Sequence, residues 1–209
     1  MLERGAELAA IDAAAEAVAA GAGGRVLLIS GPPGIGKTTL LEAARERAAE
    51  RGCRVLSARG GPLERDLPHA IVRNLLERAD ADPGLLYRGF AGLARPLFEP
   101  LGPDGKRSPL PDRDELSHAI YWMLVNLSAA GPVALLVDDA HDGDDASLAV
   151  LAYLAARIGA LDVLLIVASR TISPPSPQLA AIGESAGPDG GLQPAELTRD
   201  GVRLSLIHI

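Results

Sequence analysis

Aromatic side chains, lysine and cysteine are all scarce in this sequence, and each scarcity excludes something. Phe, Trp and Tyr make up 3% of the 209 residues while apolar residues make up 48%, so Ala, Leu and Val have to fill the interior. Lys occurs only at Lys37 and Lys106, and arginine carries the rest of the positive charge, which makes each lysine a candidate for a specific task. The lone Cys53 rules out an intrachain disulfide and a cysteine metal cluster. The four histidines (His69, His118, His141, His208) show no metal-ligand spacing. No run reaches the roughly 18 consecutive apolar residues of a membrane span, so no membrane partner is expected. The start, Met1-Leu2-Glu3-Arg4, runs into an Ala-rich stretch broken by Glu7, Asp12 and Glu16, unlike a secretory signal. The expected location is cytoplasmic. A formal net charge of −7 has the wrong sign for gripping a nucleic-acid backbone unaided. The length suits one sizeable core, or one domain and the beginning of a second.

What is present alternates. Leu8 to Ala20 has helical character and stops at Gly21-Ala22-Gly23-Gly24. Val26 to Ile29 reads as a strand buried on both faces, followed by a glycine-rich turn and a helix from about Lys37 to Glu50. Val55 to Ala58 is a second strand. Residues 68 to 130 read as mostly helical, with breaks at Asp82-Pro83-Gly84 and across Pro100 to Pro111. Within this stretch Leu116, Ile120, Leu124 and Leu127 form one buried stripe. Val133 to Val137 is a third strand. An acidic loop follows it, then a helix carrying Leu148, Leu151, Ala155 and Ile158, then a fourth strand from Leu161 to Ala168. Beyond Thr171 the Ser, Pro and Gly content predicts a mobile loop or a domain edge. Short apolar strands alternating with helices indicate a parallel sheet covered on both faces. There is no internal repeat.

Gly31-Pro32-Pro33-Gly34-Ile35-Gly36-Lys37-Thr38 matches G-x-x-x-x-G-K-[ST], with a strand before it and a helix after it. Glycines let backbone N–H groups turn inward around a phosphate, and the helix N-terminus adds unpaired donors and a dipole that favours anions. Lys37 would place a compact charge on the outer phosphates, and the Thr38 hydroxyl would coordinate magnesium. The alternative is a chance glycine-rich turn, which the flanking elements argue against.

Asp138 and Asp139 end the third strand, where a strand buried on both faces has no structural use for consecutive acids unless a cation or solvent meets them. Asp138 is the candidate for holding Mg2+, directly or through water, and Asp139 for orienting or deprotonating the attacking water. Asp144 or Asp145 is assigned to capping the next helix. A calcium loop fails on spacing, because its third and twelfth positions would be Ala140 and Ala149. His141 is either a contact to the phosphate network or a partly exposed loop histidine. Arg170, at the end of the fourth strand, emerges at the same sheet edge, where ligands of open α/β sheets lie, and could sense the γ-phosphate. On spacing alone Arg4 and Glu7 are solvated residues of the first helix.

In order along the chain stand Leu2-Glu3-Arg4-Gly5-Ala6-Glu7-Leu8, the loop Gly31 to Thr39, Ala58 to Asp66, Leu135 to His141, and Val167-Ala168-Ser169-Arg170. Together they resemble the ATPase module of the large ATP-binding LuxR-type transcriptional regulators, in the STAND branch of AAA-like ATPases. The resemblance implies a three-layer α/β P-loop NTPase fold with a five-stranded parallel sheet of order 5-1-4-3-2. It also implies ATP or ADP bound along Gly31 to Thr39, Arg4 near the adenine, Arg170 as phosphate sensor, and hydrolysis used as a switch. DNA would be contacted only through a helix-turn-helix elsewhere, and ATP-dependent self-association is a further expected partnership. Asp142 stands where an aromatic residue is usual, and Pro68-His69-Ala70 replaces an expected aromatic and glycine. Glu64 receives no role.

Residues 1 to 200 are expected to form the ATPase domain, with 61 to 130 as a largely helical insertion. Leu192 to Leu197 resembles the family's fifth strand and the entry to a next helical domain. Leu204 to Ile209 reads as the translation of a transposase sequencing adapter, so the natural protein is expected to continue past Arg203. Two other classes compete with a regulatory switch. One is a P-loop kinase acting on a small molecule, for which Pro100 to Arg113 is the only lid-like segment. The other is a nucleic-acid motor or clamp loader, which the acidic balance disfavours.

Overall fold

The alternation of short apolar runs with helices resolves, among the described residues, into eight α-helices and five strands. The computed structural model of the chain describes residues 3–62, 65–100, 102, 108–171 and 173–195. In chain order these give α1 (Gly5–Ala19), β1 (Arg25–Gly31), α2 (Lys37–Glu50), β2 (Arg54–Arg59) and α3 (Ala70–Leu76). Then come two one-turn helices, α4 (Pro83–Leu86) and α5 (Arg95–Phe98), with a 3-10 turn at Gly89–Ala94 between them. The remainder are α6 (Arg113–Ser128), β3 (Val133–Asp138), α7 (Asp145–Ala155), β4 (Val163–Arg170), α8 (Pro177–Gly190) and β5 (Gly191–Leu192).

The five strands pair in the order β2-β3-β4-β1-β5, all parallel. This is the expected order read from the other edge. Period-two alternation divides the strand residues between two cores. Val133, Leu135 and Val137 of β3, with Leu165 and Val167 of β4, pack into the core shared with α3, α6, α7 and α8. Ala134 and Leu136, with Leu164, Ile166 and Ala168, pack into the core built on α1 and α2. All six residues of β3 are buried. Each large aliphatic side chain so enclosed contributes about 1.5–3 kcal/mol relative to exposure, which is how a chain poor in aromatics holds its sheet together. The stripe Leu116, Ile120, Leu124 and Leu127 is buried as its spacing predicted.

Several local expectations need correction. The segment after Thr171 contains a 14-residue helix, α8, rather than only loop. Ser176 caps it, accepting from the Leu179 N–H at 3.3 Å, and Leu179 and Ile182 are buried against the sheet. Its course is interrupted at Gly187, whose φ is 66°. The fifth strand is Gly191–Leu192, paired with Leu28 and Ile29 of β1, and is shorter and earlier than expected. Ile158 lies in a separate 3-10 turn after α7, although it is buried in the same core. The break at Asp82 also starts a helix, because its carboxylate accepts from the Gly84 N–H at 2.9 Å. Glu64, Lys106, the greater part of the lid-like segment's centre and everything from Glu196 onward, including the adapter-like hexapeptide, lie outside the described residues. No helix among the described residues is long and apolar enough to cross a membrane.

Candidate functional site

Parallel pairing brings the carboxyl ends of β1, β3 and β4 to one edge of the sheet. Gly31 is in register with Arg170, and Arg59 with Asp138, so residues far apart in sequence converge there. The loop from Gly31 to Gly36 runs from β1 into the N-terminus of α2. Gly34 and Gly36 hold φ of 78° and 98°, backbone that a β-carbon would strain, and Gly36 is the N-cap of α2.

Lys37 is buried, and its Nζ donates to the carbonyls of Gly31 and Pro32 at 2.9 Å each. The ammonium thus lies across the mouth of the loop. Burial pushes its pKa below the ordinary lysine value. Asp139 opposes that shift, Arg170 adds to it and Asp138 opposes it. All three groups therefore share the electrostatic environment of the lysine. Thr38 Oγ1 donates to Asp138 Oδ2 at 2.9 Å, spanning 100 residues of sequence. Asp138 is 6% exposed, and its other oxygen accepts only the Asp139 N–H, at 2.9 Å. No Lys or Arg pairs with it among the described residues. A buried carboxylate with no direct ion pair, beside a hydroxyl, is an all-oxygen donor set that fits a hard divalent cation.

Asp139 leaves the strand in the left-handed region, with φ 45°. Its Oδ2 accepts from Arg59 Nε at 2.9 Å and Nη2 at 2.6 Å. The sequence reading missed Arg59. The available signal was an arginine ending the strand that neighbours an acid-terminated one, which becomes meaningful only once β2 and β3 are known to pair. Close approach of these loops also depends on Gly60, where a β-carbon would press into the Asp139 carbonyl.

His141 is half-buried as a residue, but its side chain is turned inward and only 4% exposed. Its Nδ1 accepts from the Arg170 N–H at 3.3 Å, which ties the turn after Asp139 to the end of β4. Burial lowers its pKa below the ordinary 6.5, as do Arg170 and Lys37, while Asp142 and Asp139 act in the opposite sense. The Arg170 side chain itself is exposed at the sheet edge.

Arg4 is not a solvated residue of the first helix. It is 4% exposed, donating to Ile35 O at 2.8 Å and Ala195 O at 2.6 Å, with Glu7 Oε1 at 3.8 Å. It fastens the phosphate loop to the segment after β5. Pro32, Pro33, Ile35 and Thr39 complete the loop and the first turn of α2. Asp144 caps α7 as expected, accepting from the Ser147 N–H at 2.7 Å, and it also takes the N–H groups of His69 and Ile71 at 2.7 and 3.4 Å.

Residues 1–167 match the AAA ATPase domain family. The chain is 29% identical over 168 residues to R02095 of Rhizobium meliloti (strain 1021), itself uncharacterized, an overlap of 70% of this chain and 16% of that protein. Among solved structures it resembles Cdc6p of Pyrobaculum aerophilum, with a TM-score of 0.61 and 19% identity, over 99% of this chain and 49% of that one. It also resembles the Aeropyrum pernix ORC1 protein, solved in complex with DNA, with a TM-score of 0.57 and 17% identity, over 100% of this chain and 49% of that one. At such identities these two likenesses speak to the fold. The chain spans about half the length of both structures and a sixth of the curated relative. The family match takes in the phosphate loop and the Asp138–Asp139 pair and stops three residues short of Arg170, and on that breadth the chain belongs to the AAA ATPase domain family, whose members bind nucleotide at such a loop.

Proposed function

We propose that residues 1 to 200 are the ATPase switch module, with 61 to 130 as a helical insertion, of a multidomain LuxR-type transcriptional regulator. In this reading it binds ATP with Mg2+ along Gly31 to Thr39 and hydrolyses it slowly. The observation that carries the switch is the Arg59–Asp139 pair, which holds the candidate base in a two-pronged hydrogen bond at 2.6 and 2.9 Å. Both bonds fall on Oδ2, so that oxygen is occupied until the pair opens and only Oδ1 is left to meet a water, and nucleotide would dwell between turnovers. Lys37 and the loop N–H groups hold the outer phosphates, and Arg170 meets the γ-phosphate from β4. Thr38 and Asp138 would hold the magnesium ion, which when bound supplies charge neutralisation at the β- and γ-phosphate oxygens. Arg4 would help form the adenine pocket, and its hydrogen bonds to Ile35 O and Ala195 O join the phosphate loop to the segment after β5.

The regulator affiliation rests on the ordered sequence motifs, and DNA contact is assigned to a helix-turn-helix outside this chain. Two measurements test the proposal. Equilibrium binding of ATP and Mg2+ should be lost in Lys37→Ala, and an unchanged dissociation constant would sink the phosphate-loop assignment. Reading the genomic coding sequence past the codon for Arg203 should reveal a helix-turn-helix, and a kinase or cyclase partner domain instead would remove the regulator reading.

A further inference from the structure

The few aromatic side chains of this chain are not dispersed. Five of the six fall between Tyr87 and Trp122, and the sixth, Tyr153, joins the same cluster through His118. Three of the four exposed large hydrophobic side chains among the described residues lie there too: Phe90 at 41%, Leu93 at 42% and Trp122 at 39%. In a chain that fills its core with Ala, Leu and Val, aromatic rings left at the surface are not needed for packing.

The cluster is also locked. Trp122 Nε1–H donates to His118 Nε2 at 3.1 Å, one helical turn away on α6. Because the indole can only donate, Nε2 is the acceptor, so Nδ1 carries the proton and donates to Tyr153 Oη at 3.0 Å on α7. The guanidinium of Arg157 lies over the Tyr153 ring, 3.7 Å from its centroid. The Phe90 ring stands edge-on to His118, with centroids 4.8 Å apart. Asn126 spends both amide protons on the carbonyls of Leu86 and Arg88, at 3.2 and 3.0 Å, which pins the turn bearing Phe90 and leaves its own oxygen free to accept. Between these groups lies a recess of about 480 Å³ lined by Arg88, Gly89, Phe90, His118, Trp122 and Asn126. That volume is in the range of small-ligand sites. Arg88 is exposed at the rim, and none of the ion pairs among the described residues involves it.

We propose that this recess is a binding site for a small planar aromatic acid, separate from the nucleotide site. The ring lies against Phe90 and Trp122, the carboxylate pairs with Arg88, and a ring hydroxyl or N–H reaches the Asn126 oxygen. Aromatic walls favour a ring by stacking or edge-to-face contact. An unpaired guanidinium selects a carboxylate over an amine. The hydrogen bonds that fix Trp122, His118 and the Phe90 turn mean little ordering is left for the ligand to impose.

Trp122 is the only tryptophan in the chain, so its emission reports on this recess alone. The test titrates the 209-residue chain with phenylacetate, benzyl alcohol and acetate. Phenylacetate should give a saturable change in emission, benzyl alcohol one about tenfold weaker for want of the charged hydrogen bond, and acetate none over the same range. Arg88→Gln, an exposed change, should bring phenylacetate down to the benzyl alcohol level and leave benzyl alcohol unaltered. Phe90→Ala should abolish both responses. ATP binding should be the same in all three proteins. A linear, unsaturable response would overturn the proposal, and so would equal phenylacetate affinity in Arg88→Gln. Protein-concentration-dependent burial of Trp122, showing that a second copy fills the recess, would do so as well. If Phe90→Ala does not fold, the Arg88→Gln comparison decides the question by itself.

Discussion

Two adjacent aspartates at the end of β3 meet different partners, and the geometry separates them. Asp138 faces Thr38 Oγ1 and is buried, whereas Asp139 turns out of the strand and meets Arg59. Asp139→Asn should therefore retain ATP binding and lose most hydrolysis, because an amide cannot accept the water's proton. Asp138→Asn should weaken the magnesium dependence of binding instead. Arg59→Ala, which frees Asp139 Oδ2 from two hydrogen bonds, should raise the single-turnover hydrolysis rate while leaving the ATP dissociation constant unchanged. Phosphate release under single-turnover conditions measures all three. Parent-like rates in both aspartate variants would show the catalytic acids to be misplaced, and a slower Arg59→Ala would mean that the arginine orients the base rather than restraining it. A pH effect belongs to this scale too. Burial lowers the pKa of both His141 and His69 from 6.5. For His69, Asp144 opposes that shift and Arg113 adds to it; for His141, Asp142 and Asp139 oppose it, and Arg170 and Lys37 add to it. The folded state then binds fewer protons than the unfolded one just below that value, so the contribution of these residues is complete above 6.5 and is lost as pH falls through their folded values. The urea midpoint should fall between pH 7.5 and about pH 5.5, and replacing both residues with Gln should flatten that slope.

At the level of elements, one buried carboxylate ties the starts of two helices together. Asp144 caps α7 through Ser147 and accepts the N–H groups of His69 and Ile71 at the start of α3. With 2% of the residue exposed, Asp144→Ala would strip three N–H groups of their acceptor, two of them, at Ile71 and Ser147, in buried bonds. It should cost about 3 kcal/mol, more than an ordinary cap, because two of the orphaned groups are buried. Equilibrium urea unfolding checks this, and a loss no larger than that for Asp112→Ala, whose carboxylate caps α6 at an exposed site, would show that Asp144 is only a cap. Sequence patterning could locate the cap but not the tie, since nothing local links residue 144 to residue 69. The same distinction runs through the fold. The strands, the phosphate loop and the α6 stripe were legible because each is carried by consecutive or periodic residues. Arg59 beside Asp139, and His141 beside the Arg170 amide, depend on strand register and were not. The helix α8 was obscured by Gly183, Gly187 and Pro188, although Ser176-Pro177 with Leu179 and Ile182 three apart is a capped, amphipathic start.

For the whole molecule, charge decides the partner most worth excluding. Because the proposed regulator would contact DNA through a separate helix-turn-helix, direct DNA binding by this chain is the outcome to measure. The sequence is acidic by seven charges, and five of its arginines already pair with carboxylates within the fold. Arg45 pairs with Glu42, Arg47 with Asp12, Arg51 with Asp12 and Glu16, Arg59 with Asp139, and Arg65 with Asp142. Phosphate-backbone binding draws its free energy from counterion release on exposed, unpaired cations. A guanidinium already held by a carboxylate contributes little of that. None of the described helices presents a row of free arginines of the kind that would enter a groove. We therefore expect this 209-residue chain to show no sequence-specific retention in a gel-shift titration at moderate salt, with random or promoter-derived DNA, and with or without ATP and Mg2+. Weak retention that disappears as salt rises, alike for both DNAs, would be compatible with scattered surface arginines. Retention that distinguishes the two sequences and survives moderate salt would mean that the ATPase module itself reads DNA, and would move DNA contact from a separate helix-turn-helix onto this domain.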